Sequence, residues 1–125
     1  MSPKDTPRMD RQTPLPAACF PADYGEGRRR FLDAARAAGA TLAHHVLPAH
    51  RGRHGEELAL DAALLPATPE GGGQAPLVIV SSGVHGVEGL CGSGCQQHLL
   101  HDVELLALAR ARGVDLLWLH AVNPH

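Results

Sequence analysis

The sequence predicts an α/β fold, a partial mixed or parallel sheet with flanking helices. Three observations predict it. Leu77-Val-Ile-Val80 is a short, continuous, mostly β-branched apolar run, the pattern of a central strand buried on both faces. A Gly-rich loop and two helical stretches follow, over residues 90–101 and 103–112, the second closed by Gly113. Residues 114–122 then return to an apolar, strand-like run, broken by Asn123-Pro124. Strand, loop, helix, strand is a βαβ crossover, which sets its two strands parallel in one sheet.

The remaining elements precede that unit. Residues 1–18 carry four of the ten prolines and little periodicity, so they are expected to be a disordered or extended tail, with the domain occupying 19–125. Phe31, Leu32, Ala35 and Ala38 recur at helical spacing and Gly39 follows as a stop, which predicts a helix over 25–39. Residues 41–47 form a strand ending at Pro48, with His44 and His45 on opposite faces. A second strand covers 56–65, and the two make a hairpin at the sheet edge. Residues 69–76, with Gly71–Gly73 inside, are a flexible connection.

Bulk properties narrow the function classes. The 125 residues make one domain at most, and only 3% are aromatic, so the core is expected to be aliphatic. The net charge is −2 and the basic residues are dispersed, which argues against a nucleic-acid partner. Arg28–Arg30 reads as the solvated start of a helix. No apolar run reaches membrane-spanning length, so no membrane partner is expected. The N-terminus lacks the apolar centre of a secretory signal. Three cysteines, Cys19, Cys91 and Cys95, are an odd number, which with no export signal predicts reduced thiols in a cytoplasmic protein.

The chemistry is concentrated in Ser81-Ser-Gly-Val-His-Gly-Val-Glu-Gly89. This segment leaves the C-terminal end of a predicted strand, the edge at which open α/β sheets bind ligands. His85 and Glu88 stand three residues apart. In a tight loop entering a helix, that spacing brings an imidazole and a carboxylate to one point, and both are zinc ligands. Gly83, Gly86 and Gly89 permit positive φ and close backbone approach. A bare His-x-x-Glu also arises by chance in surface loops. Its place after a strand is what favours a metal.

The strings Val80-Ser-Ser-Gly-Val-His-Gly-Val-Glu-Gly-Leu-Cys-Gly-Ser-Gly-Cys-Gln96 and Leu119-His-Ala-Val-Asn-Pro-His125 resemble the zinc carboxypeptidase-like superfamily. More narrowly they resemble its DUF2817 family. The resemblance covers residues 20–125. It implies the N-terminal portion of a zinc carboxypeptidase-like (phosphorylase/hydrolase-like) fold, with Zn2+ as cofactor and His85 and Glu88 as two metal ligands. It implies a zinc-dependent hydrolase cleaving the amide bond of a peptide or a small acyl-amino acid. In that superfamily the metal makes its bound water acidic and polarises the carbonyl, and a Glu moves the proton. The resemblance also implies a third ligand, a downstream His, together with that late Glu and Arg residues after the Asn-Pro segment. None lies within residues 1–125. The chain is therefore expected to be truncated, to bind zinc weakly and to hydrolyse nothing alone. Its exposed sheet edge is expected to favour aggregation or partial unfolding. The alternative is an inactive remnant that serves as a binding or structural module.

Rival constellations carry less. Cys91, Cys95 and His98 share a helix face, with His101 one turn on. One straight helix cannot wrap a third and fourth ligand around a metal, so the cysteines are read as small residues packing the helix on the sheet. His44, His45, His50 and His54 lack ligand spacing and are read as exposed. The Gly83–Gly89 loop has no P-loop Lys-Ser/Thr, and Glu88 would repel phosphate. Ser93 lacks the flanking Gly at 91 of a serine-hydrolase elbow. His120 is read as a partly buried strand residue, His125 as a frayed end, and Asn123-Pro124 as shaping the loop beneath the site.

Overall fold

A computed structural model describes residues 14–68, 74–86 and 88–124. After a short 3₁₀ helix at Pro16–Cys19 come α1 (Tyr24–Ala37), β1 (Thr41–Arg51), β2 (Glu57–Leu65), β3 (Leu77–Ser81), α2 (Glu88–His101), α3 (Val103–Ala111) and β4 (Asp115–His120). The sheet order is β1-β2-β4-β3. The β1/β2 and β2/β4 pairs are antiparallel and the β3/β4 pair is parallel. This is the mixed α/β sheet the sequence predicts, with a hairpin on one side and the βαβ unit on the other.

Local signals set the helices. The Asp23 side chain caps α1 by accepting from the Glu26 N–H at 2.8 Å, and the Glu26 carboxylate accepts from the Ala22 N–H at 2.7 Å. Asp102 caps α3 in the same way, accepting from the N–H groups of Glu104 and Leu105. The helices cover one sheet face. Burial alternates along β2 and β4, and the registered pairs Asp61/His120, Ala63/Trp118 and Leu65/Leu116 all face inward. Phe31, Ala34 and Ala35 of α1, Leu100 of α2 and Leu106 of α3 pack against that face.

Several expectations need correction. The core is not purely aliphatic: Trp118 and Phe31 are its largest fully buried side chains. β1 does not stop at Pro48 but runs to Arg51. Pro48 is tolerated because β1 is an edge strand and its register slips between Val46 and Arg51. β3 is not a central strand buried on both faces. Among the described residues it pairs only with β4, and Leu77, Val78 and Ile79 are each about half exposed. A continuous apolar run reports hydrophobicity, not the number of neighbours, so it could not separate these cases. Residues 1–13 of the expected tail and 69–73 of the expected connection lie outside the described residues. Residues 16–18 are not extended tail, since they start the 3₁₀ helix that buries Cys19.

Among the described residues no helix is long and apolar enough to cross a membrane.

Candidate functional site

β3 and β4 run parallel and leave the sheet side by side, and their exits stay tied together. The Ser82 N–H donates to the Leu119 carbonyl at 2.9 Å, Val122 N–H to the Ser82 carbonyl at 2.9 Å and Asn123 N–H to the Gly83 carbonyl at 2.8 Å. At this crossing Gly83 has φ +71°, and a Cβ there would sit 2.8 Å from the Ala121 Cα. Ala121 itself has φ 56°, a left-handed conformation that costs an L-residue energy and is found at functional sites.

A buried amide fixes the same exits to α2. Gln96 donates to the carbonyls of Val80 at 2.9 Å and Leu119 at 3.0 Å. Its Oε1 accepts from the Ser82 hydroxyl at 2.9 Å. One side chain thus holds the helix to both parallel strands. α2 can lie this close because Gly92 has no Cβ: one there would come within 2.7 Å of the Ser82 Cβ.

On this frame sits the predicted metal pair. The Gly89 N–H donates to the Gly86 carbonyl at 3.0 Å, closing a tight turn. His85 immediately precedes that turn and Glu88 lies within it as the first residue of α2. Both are exposed, and Val87 is outside the described residues. An imidazole and a carboxylate on one short turn fit as two members of a zinc ligand set. Among the described residues no group of three or more His, Cys, Asp or Glu side chains comes together to hold a metal.

Beside the turn lies a cavity of about 350 Å³. Gly86 and Gly89 form its wall on the side of the turn, and Tyr24, Leu90, Ser93 and His120 complete much of the rest. His120 is buried, stacked on Phe31 with ring centroids 4.7 Å apart. Its Nε2 is 2.8 Å from the Ser93 Oγ, and its Nδ1 has no partner among the described residues. Burial pushes its pKa down to about 4; nearby Asp61 opposes this and Arg28 adds to it. The ring is neutral at neutral pH. The sequence reading of a partly buried strand residue understated its enclosure.

A second polar centre lies on the α1 side. Asp61 is fully buried. Arg28 donates to it from Nε at 2.8 Å and from Nη2 at 3.2 Å, and His44 Nδ1 lies 2.6 Å from its Oδ1. Arg28 also reaches Glu57 at 2.9 Å. The hydrogen bonds to Asp61 raise the Arg28 pKa further. Arg28 is therefore not a solvated helix-start residue, whereas His44 is exposed as expected and also contacts Asp61.

Cys91 and Cys95 correct another expectation. Both are exposed, and the face of α2 turned inward is Ser93, Gly94, Gln96, Gln97 and Leu100. The cysteines pack nothing against the sheet. Sequence reasoning missed Ser82, Gln96 and the Ser93–His120 contact because a polar inward face carries no hydrophobic period. The one available signal was a helix whose polar residues, Ser93, Gln96 and Gln97, recur at i, i+3 and i+4.

Residues 20–125 match the family described as "Protein of unknown function (DUF2817)", and the chain belongs to that family. A comparison with curated proteins gave no match. Among solved structures the chain is similar to the crystal structure of Macrostomum lignano glutaminyl cyclase, with 12% sequence identity and a TM-score of 0.48. The match covers 94% of this chain and 41% of that one, so the chain spans about two-fifths of that protein's length.

Proposed function

We propose, from membership in this family and the geometry of the strand exits, that the chain forms part of a zinc-dependent hydrolase acting on the amide bond of a peptide or an acyl-amino acid. His85 and Glu88 supply two of the metal's ligands. The observation that supports this reading is that His85 and Glu88, both exposed, lie on the segment that links the C-terminal end of β3 to α2, the edge at which open α/β sheets bind ligands. When bound, zinc would supply an acidified water and polarise the carbonyl. His85 offers a ring nitrogen and Glu88 a carboxylate oxygen. Ser82 and Gln96 fix α2, which begins at the turn, to the exits of β3 and β4.

The resemblance to zinc carboxypeptidase-like enzymes implies a third ligand and a general base that residues 1–125 do not match. Residues 1–125 alone therefore bind zinc weakly and cleave no amide. Exposed free thiols at Cys91 and Cys95 favour a reducing, cytoplasmic setting. Equilibrium dialysis against Zn2+ tests the ligand assignment. Wild type is expected to retain more zinc than either His85→Ala or Glu88→Ala. Equal zinc in all three proteins sinks the assignment.

A further inference from the structure

The cavity beside the turn has a composition that selects its occupant. It lies between the first turns of α1 and α2 and the exit of β4, and shares Gly86 and Gly89 with the turn that carries His85 and Glu88. Among the described residues no Asp, Glu, Lys or Arg side chain lines it. Leu90 and the Tyr24 ring give it apolar surface. Its two buried polar side chains, Ser93 and His120, face each other at 2.8 Å, so a ligand need not satisfy those two atoms. At about 350 Å³ it lies at the small end of the range for ligand pockets, enough for one side chain or a short acyl group.

We propose that this cavity is a specificity pocket that takes an uncharged, apolar side chain or acyl group of the substrate, with Leu90, Tyr24 and the Ser93–His120 pair as its selecting residues. The proposal rests on the metal reading above only in assigning the bound group to a substrate cleaved at the adjacent turn. Exclusion of charge follows from the lining. A carboxylate or ammonium entering the cavity would lose water and meet no counter-charge. His120 cannot provide one, because burial keeps its ring neutral at neutral pH.

The test is a metal-free NMR titration of the ¹⁵N-labelled full chain with small amides. N-acetyl-leucinamide and N-acetyl-phenylalaninamide are expected to shift the amide signals of Leu90, Ser93 and Ala121 saturably. N-acetyl-lysinamide and the singly charged N-acetyl-aspartic acid α-amide are expected to bind at least tenfold more weakly. Leu90→Trp, which fills the cavity from its wall, is expected to abolish the shifts. Asn123→Trp, at the exposed rim, does the same if the Leu90 variant fails to fold. Apolar amides that shift none of these signals, or that bind a folded tryptophan variant as well as wild type, overturn the proposal. So does equal binding of charged and apolar amides. The titration contains no metal, so the two readings fail separately. Zinc held by His85 and Glu88 without amide binding removes the pocket alone, and amide binding without zinc removes the metal site alone.

Discussion

Polar side chains gather in two places around the end of β4, and the protein treats them in opposite ways. On the α1 side Asp61 and His120 are withdrawn from water, and the partly buried Arg28 matches the Asp61 charge through a two-bond guanidinium contact. On the α2 side His85 and Glu88 stand exposed on a turn, and among the described residues neither side chain is held by a hydrogen bond or an ion pair. The first group is tied into the fold, so its removal should cost stability. The second group is free to meet a ligand, so its removal should cost binding and little else. A histidine on a strand exit can belong to either group, and burial decides which.

The largest expected effect is on the buried side. Arg28→Ala leaves a fully buried carboxylate with its main counter-charge gone, and should destabilise the chain by about 3–5 kcal/mol in urea denaturation. A loss below about 1 kcal/mol would mean that the pair adds little and the contrast is overdrawn. Next comes acid sensitivity. The folded pKa of His120 is lowered from 6.5 to about 4, so between those values the unfolded chain binds the extra proton. Stability from this group is fully present above pH 6.5 and falls as pH drops towards 4, by up to roughly 3 kcal/mol. Denaturation midpoints of wild type and His120→Gln at a series of pH values should converge as the solution is acidified through that window.

Gly83→Ala comes third. It forces a side chain to φ +71° and 2.8 Å from the Ala121 Cα, for an expected loss of about 2–3 kcal/mol by thermal or urea unfolding. This probes the frame of the exposed turn and not its ligands. The smallest stability effect is expected at the ligands. His85→Ala and Glu88→Ala should each lie within about 0.5 kcal/mol of wild type. A loss of 2 kcal/mol at either position would show that the residue is structural and erase the difference between the two regions.

How much of this was legible in the sequence differs between the regions for a physical reason. The turn was legible: glycines, a His-x-x-Glu pair and a preceding β-branched run are local signals, and the structure sets them at the end of β3 and the start of α2. The βαβ unit and the edge hairpin were legible as well, because periodicity and breakers are local. The buried polar side was not. Arg28 and Asp61 are 33 positions apart, and nothing near either residue announces the other. Asp61 lies in an apolar strand, where only the register with His120 and the approach of α1 explain its burial. β3 was misplaced as central because strand order depends on long-range pairing. α2 was misread for a subtler reason. Its inward face is Ser93, Gly94, Gln96 and Gln97, so the hydrophobic pattern that normally orients a helix is missing.

The central claim is that His85 and Glu88 form a metal-binding pair while the other histidines do not lead. The direct measurement is a Zn2+ titration of the ¹⁵N-labelled chain, followed through the ring nitrogens of its nine histidines. The account predicts that the His85 ring responds first, that His120 stays silent, and that Glu88→Ala shifts the His85 response to at least tenfold higher zinc. A His85 ring that does not move while His45 or His54 takes up the metal, or a response unchanged in Glu88→Ala, would contradict it.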